Sequence, residues 1–227
     1  MKENMSQWCR IYYNTDLLVF WIYLEEELTL IIKTIPAGVY EANCYLLVDE
    51  DTKECGIIDP GGDAKKLENE IRSLKANPKY ILLTHGHFDH VGAVIELINT
   101  FKVPYYINEI DEKYMEKDNS VFGTLPKASN YLKDGDSIKL GENIIKVIAT
   151  PGHTKGGVCF LVDDKLFTGD TLFQGSVGRS DFIGGDGREL INSIKTKLLP
   201  LGDEIEVYPG HGDASTIGYE KRRNPFL

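Results

Sequence analysis

The sequence predicts an α/β protein, an αββα sandwich: two mixed β-sheets face to face, with helices on the outer faces. Three observations predict it. Segments of β character and of helical periodicity follow one another in the order β-rich, β-α-β-α, β-rich, α-β. No Pro/Gly/Ser-rich linker and no fixed-period repeat divides the chain, so it reads as one domain over residues 28–227. The composition, 42% apolar and 26% charged over 227 residues, suits a globular chain long enough to bury a sizeable core.

The elements follow in order. Residues 28–35 and 43–48 are rich in β-formers, and 55–59 is a third short run ending at the turn Pro60-Gly61-Gly62, which together read as a meander. Residues 63–76 place Leu67, Ile71 and Leu74 at helical spacing behind Asp63, an N-cap residue type. Residues 79–83 read as a buried strand, and 90–101 as one amphipathic helix with Val91, Val94, Ile95 and Ile98 inside. A strand over 104–108 and a helix over 110–117 come next. Residues 118–135 lack periodicity and suit a surface lid or loop. Strands are expected at 144–148, 158–162 and 166–168, a helix at 188–199 and a last short strand at 206–208.

Residues 1–27 read differently, as a leader of uncertain order. The apolar run at 17–23 is too short to span a bilayer, which needs about 20 residues. A signal peptide wants a basic start, a longer apolar run and a small-residue cleavage site, whereas here Glu3 offsets Lys2 and Glu25-Glu26-Glu27 follows the run. The segment reads as an upstream-translated leader, with Met5 as another start, or as a short interfacial or dimer-contact segment. The net charge of −10 excludes the basic footprint of a nucleic-acid-binding protein. Four cysteines (Cys9, Cys44, Cys55, Cys159) lie far apart with no C-x-x-C pair, so a disulfide framework is not expected and a cytoplasmic location is the default.

None of the five histidines is scattered. Three lie in Thr84-His85-Gly86-His87-Phe88-Asp89-His90, the fourth in Thr150-Pro151-Gly152-His153-Thr154, the fifth in Tyr208-Pro209-Gly210-His211-Gly212. Each group follows directly on an expected strand, where functional groups gather. In an extended segment His85 and His87 point the same way, and a turn can bring Asp89 and His90 to them. Imidazole with carboxylate suits zinc, iron or manganese. A solvated polar turn or one structural zinc ion are the plainer readings. But a structural zinc site fills four places, usually with cysteine and histidine, and this donor set is too large for one tetrahedral ion.

The series His85-x-His87-x-Asp89-His90, His153, Thr168-Gly169-Asp170 and His211 resembles the full motif set of the metallo-β-lactamase superfamily. Asp59, before its Pro-Gly-Gly turn, matches that family's early aspartate. The resemblance spans about residues 29–227 and implies the metallo-β-lactamase fold with two divalent metal ions, zinc first and iron or manganese as alternatives. It implies that His85, His87 and His153 bind one metal, that Asp89, His90 and His211 bind the other, that Asp170 bridges both, and that Asp59 holds the histidine loop in place. Thr84 and Thr154 are candidates for loop support or ordinary turn hydroxyls. Two divalent ions with Asp89, Asp170 and a hydroxide leave a local charge of about +1, which accepts an anionic substrate group.

The segment Thr168-Gly169-Asp170-Thr171-Leu172-Phe173-Gln174-Gly175-Ser176-Val177-Gly178-Arg179-Ser180-Asp181-Phe182, then Gly184-Gly185-Asp186, is similar to the glyoxalase-II-like (hydroxyacylglutathione hydrolase-like) branch, in its short single-domain bacterial members. The tail Ser215-Thr216-Ile217-Gly218-Tyr219-Glu220-Lys221-Arg222-Arg223-Asn224-Pro225-Phe226 is similar to that branch's ending. The resemblance implies a binuclear hydrolase cleaving a small anionic thioester, S-acyl-glutathione-like, by attack of a hydroxide held between the metals. Asp170 and Asp89 are then the catalytic carboxylates, Asp89 as a proton relay. A thiol with a pKa of about 8.5 leaves without a strong acid, in keeping with the lack of a sixth histidine. Full-length glyoxalase II continues into a helical domain that helps hold glutathione, whereas this sequence ends at Leu227, so the carrier stays open. Arg179 is the candidate anchor for it, assisted by Lys221, Arg222 or Arg223; the competing reading of Arg179 is a salt bridge to Asp181 or Asp186.

Other classes remain in view. A persulfide dioxygenase of the same fold uses one iron, and its facial triad here is His85, His153 and Asp170. A lactonase shares the motif set. Aspartate at position 170 argues against lactamases that place cysteine or serine there. A non-catalytic binding module predicts eroded ligands, and all seven positions keep ligand residues.

Overall fold

The computed structural model describes residues 30–227; the leader expected over 1–27, and Cys9 with it, lies outside them. The first sheet opens with the antiparallel meander β1 (Leu30–Ala37), β2 (Ala42–Asp49) and β3 (Glu54–Ile58). It continues with parallel strands β4 (Asn77–Leu82), β5 (Tyr105–Ile107) and β6 (Asn130–Tyr131). Helices α1 (Ala64–Ser73), α2 (Phe88–Val91), α3 (Val94–Phe101) and α4 (Glu109–Met115) lie between these strands in the chain. The second sheet holds β7 (Ser137–Leu140), β8 (Asn143–Ala149), β9 (Val158–Val162) and β10 (Lys165–Gly169) as an antiparallel run. A small hairpin, β11 (Leu172–Phe173) and β12 (Ser176–Val177), and helix α5 (Gly187–Ser193) precede β13 (Glu206–Pro209), which pairs parallel to β10. Strand β14 (Ser215–Thr216) and helix α6 (Ile217–Arg223) complete the chain.

Alternation along the strands assigns the layers. On β2, Tyr45 and Leu47 pack with Leu82, Phe160, Val162 and Phe167 between the two sheets. Its other side chains, Cys44, Leu46 and Val48, meet Leu67 and Ile71 of α1 and Val94 and Leu97 of α3 on the outer face. The outer face of the second sheet (Cys159, Leu166, Val207) is covered by Leu190, Ile194, Leu198 and Ile217. Strand β2 is buried throughout because both of its faces are covered. This is the expected αββα sandwich.

Several local expectations are corrected. Asp63 precedes α1, but its backbone is left-handed (φ 50°) and its carboxylate accepts from Gly38 N at 2.9 Å instead of capping the helix. The single helix over 90–101 is two, α2 and α3, because Gly92 is pressed against the Pro60-Gly61-Gly62 turn: a Cβ there would lie 2.4 Å from Gly61 O, and Ala93 N donates to Pro60 O. The break changes the phase, so Leu97 is buried and Ile95 is exposed. The helix over 188–199 ends as α5 at Ser193 and continues as a π turn (Ile194–Leu198) and a 3₁₀ turn (Leu199–Leu201). Residues 118–135 are not all loop, since they supply β6 and the buried Phe122, bridged to His87. Cys44, Cys55 and Cys159 are buried and unpaired, and among the described residues no helix is long and apolar enough to cross a membrane.

Candidate metal centre

Strands β3, β4, β8, β10 and β13 each deliver a site residue from the segment after their C-terminal end: Asp59, His85, His153, Asp170 and His211. Strand β9 runs antiparallel to both β8 and β10, and β13 runs parallel to β10, so these ends share one rim of the second sheet. The parallel pair β3–β4 presents its ends across from them, tied over by Asn43 N donating to Gly210 O at 2.7 Å. His87 is the extended residue before α2, and Asp89 and His90 lie inside that helix.

The rim brings together all seven expected ligands in two groups. In the first, His153 Nε2 lies 3.3 Å from His85 Nε2 and 3.0 Å from His87 Nδ1. In the second, His211 Nε2 lies 3.3 Å from Asp89 Oδ2, and His90 Nε2 lies 3.9 Å from that oxygen. Asp170 stands between them. Its Oδ2 is 3.6 Å from His153 Nε2; its Oδ1 is 3.3 Å from His90 Nε2 and 3.8 Å from His211 Nε2.

Three of the imidazoles have one ring nitrogen engaged outside the cluster. Nδ1 of His90 faces Asp59 Oδ2 at 3.0 Å, Nδ1 of His85 faces Thr84 Oγ1 at 3.0 Å, and Nδ1 of His153 faces the backbone carbonyl of Arg179 at 2.6 Å. Such contacts fix ring orientation and leave Nε2 as the donor atom. Asp59 also accepts from Thr84 N at 2.8 Å and Thr84 Oγ1 at 2.5 Å. Its two oxygens are therefore occupied by the histidine loop, although it also stands close enough to His85 and His90 to form a candidate metal group with them.

The donor set fits metal ions. His90 Nε2 and Asp170 Oδ1, the atoms that face the cluster, are buried without a hydrogen-bond partner, a costly arrangement unless a cation takes their lone pairs. Burial, with the neighbouring histidines, lowers His85 well below the ordinary imidazole value and brings His87 to about 3. Burial also lowers His153. These rings are held neutral, the form that binds metals. Burial works against the charged form of His90 too, but the carboxylates of Asp170 and Asp59 outweigh it and raise His90. For Asp170 burial is likewise outweighed, by His90, His153 and His211, and its carboxyl is held well below the usual range. Gly210 leaves the necessary room, since a Cβ there would lie 2.2 Å from Asp170 Oδ1 and 2.8 Å from His90 Cε1.

The supporting residues are only partly those expected. Thr84 holds the histidine loop to Asp59, and Thr154 donates to Asp111 Oδ2 at 2.8 Å. The Arg179 guanidinium makes two 2.8 Å hydrogen bonds to Asp181 and lies 3.8 Å over the Phe182 ring. Its other foreseen partner, Asp186, caps α5 instead. The Arg179 side chain is still half exposed. Lys221 and Arg222 pair with Asp203. Residues that sequence reasoning missed include Asn43, whose Nδ2 donates to Pro209 O and Gly212 O around His211, and Tyr45, whose hydroxyl donates to Pro209 O. Asp111 was missed too, although it had a signal: it stands four residues before the buried Met115, a carboxylate on the inward face of α4.

Comparison with known proteins agrees with the geometry. The metallo-beta-lactamase superfamily model matches residues 37–211, a span that holds Asp59 and all seven ligand candidates. The chain is 42% identical over 213 residues to hydroxyacylglutathione hydrolase GloC of Haemophilus influenzae, covering 86% of this chain and 97% of that protein. Among solved structures, BLEG-1 B3 metallo-β-lactamase superposes with a TM-score of 0.81 at 38% identity, covering 87% of this chain and 99% of that one. TTHA1623 in a di-iron-bound form gives 0.75 at 36% identity, covering 86% and 100%.

Proposed function

The chain belongs to the metallo-β-lactamase superfamily, and from that premise we propose that it hydrolyses a small anionic thioester, S-acyl-glutathione-like, at a centre of two divalent metals, zinc first. The observation that carries the reading is Asp170, whose two oxygens face the two ligand groups separately. In this reading His85, His87 and His153 hold one ion, Asp89, His90 and His211 the other, and Asp170 both. When bound, such ions polarise a carbonyl and make water nucleophilic at neutral pH.

The remaining work falls to the protein. Neutral imidazoles contribute no charge, so Asp89 and Asp170 leave the loaded site net positive towards an anionic acyl carrier. Asp89 turns Oδ2 to His211 and is partly exposed, and in this reading its other carboxylate oxygen takes up the proton released as water adds to the carbonyl. The thiol leaves as thiolate, which its ordinary acidity permits. Val39, Tyr40 and Phe88 are exposed apolar side chains around a hollow that reaches Asp89, and in this reading they cover the acyl chain. The half-exposed Arg179 guanidinium, held by Asp181 and Phe182, meets a carboxylate of the carrier.

The test is a substrate panel with zinc-loaded protein: an S-acyl-glutathione, a smaller acyl thioester, a lactone and a β-lactam. The expected result is thiol release with kcat/KM well above the ring-opening of either cyclic substrate. Preferential hydrolysis of the lactone or the β-lactam overturns the thioester reading while leaving the hydrolase.

A further inference from the structure

Asp111 lies in the first turn of α4, outside the seven-ligand cluster, and is fully buried. Among the described residues no lysine or arginine pairs with it. Both of its oxygens are used: Oδ2 accepts from Gly86 N at 3.0 Å and from Thr154 Oγ1 at 2.8 Å, and Oδ1 accepts from Gly156 N at 2.7 Å. Gly86 is the residue between His85 and His87, and Thr154 is the residue after His153. One carboxylate therefore ties together two loops that are far apart in sequence and carry the trihistidine group. It is not needed to cap α4, because Asn108 already accepts from Ile110 N there. The loops are shaped to reach it: a Cβ on Gly156 would lie 2.5 Å from Asp111 Oδ1, and one on Gly86 would lie 3.0 Å from Met115.

The other group is held by different residues. His90 is oriented by Asp59, and the His211 loop is tied to β2 by Asn43 and Tyr45. None of the hydrogen bonds made by Asp111 goes to Asp89, His90, His211 or Asp170.

We propose that Asp111 is a positioning residue for the trihistidine half of the metal centre, setting His85 and His87 through Gly86 and His153 through Thr154 and Gly156. The proposal rests on the two-metal reading above and not on the identity of the substrate. Asp111 touches neither metal nor substrate. Its effect is on the affinity of one half-site, of the size by which removing an outer hydrogen-bond partner weakens metal binding, about 10- to 100-fold.

The experiment loads the full chain with cobalt(II) and withdraws it with a competing chelator, following release by visible absorption. Wild type is expected to release metal in two steps, and His211→Ala marks the step that belongs to the Asp89–His90–His211 group. Asp111→Asn, which sets an amide NH₂ against backbone donors, should shift the trihistidine step at least tenfold and leave the other within about twofold. Thr154→Val should shift the same step in the same direction, and Thr154→Ser, which keeps the hydroxyl, should restore it. The Thr154 pair keeps the test decisive where Asp111→Asn does not fold. Equal shifts of both steps, or no shift in folded variants, overturn the proposal. A single release step in wild type overturns the two-metal reading and this assignment with it. Two intact steps without thioester hydrolysis overturn only the substrate class.

Discussion

His90 Nδ1 and Asp59 Oδ2 stand 3.0 Å apart in the buried floor of the site, joining the end of β3 to helix α2. The contact gives the His90 ring one fixed orientation, with Nε2 turned to Asp170 and Asp89. Asp59 acts on the centre through His90 and Thr84, whereas Asp170 faces both ligand groups itself.

That difference sets an order of effects. Asp59→Asn keeps the size of the side chain and weakens the acceptor, so activity should fall about 10- to 100-fold. Asp170→Asn removes a charge from the middle of both groups and should cost 10²-fold or more, in the range for loss of a major transition-state stabiliser. Steady-state kinetics with metal analysis checks the order. Near-normal turnover and metal content in Asp170→Asn contradict its place between the groups.

Gly210→Ala tests the room in the centre without removing any ligand. The added methyl meets Asp170 Oδ1 and His90 Cε1 well inside contact distance. The expected outcome is metal content reduced to one equivalent or less with the fold retained, read by elemental analysis and circular dichroism. A variant that keeps two equivalents shows that the rim yields more readily than the packing implies.

Much of the site was legible in the sequence because ligands are rare residue types at telling intervals. Every histidine in the chain stands in a group that could hold a metal ion. The strands before them were legible from apolar runs, and the αββα order from their succession with the helices. What was not legible acts through backbone atoms or across the fold. The carbonyl of Arg179 orients His153, a role that no side-chain pattern encodes. Asn43 reaches the His211 loop across 169 residues of sequence, at Gly212 O. The break between α2 and α3 depends on the packing of Gly92 against Gly61 O, and helical periodicity cannot register it. Strands β7 and β14 are short pieces defined by pairing with β8 and β13 and not by their own patterns.

Asp111 should also leave a signature in the pH dependence of stability. Burial pushes its carboxyl up to about 6, above an unfolded value near 3.8, while its three donors pull the other way. The folded state therefore binds the proton more tightly, so this contribution is fully present below about pH 3.8 and is lost as pH rises through 6. Chemical denaturation of metal-free wild type and Asp111→Asn, compared from pH 7 down to 4, should show wild type gaining relative stability as pH falls. A difference that stays flat across that window contradicts the buried ionisable carboxylate.

The most direct test of the central claim is thiol release from S-lactoyl-glutathione by protein carrying two zinc ions per chain, measured with and without oxygen. Zinc has no redox chemistry, and hydrolysis requires only water. The account predicts free thiol at the same rate under both conditions, with the loss of either equivalent of zinc reducing it. No thiol release from any thioester, together with oxygen uptake by the iron-loaded protein on glutathione persulfide, would contradict it and assign His85, His153 and Asp170 to a single iron.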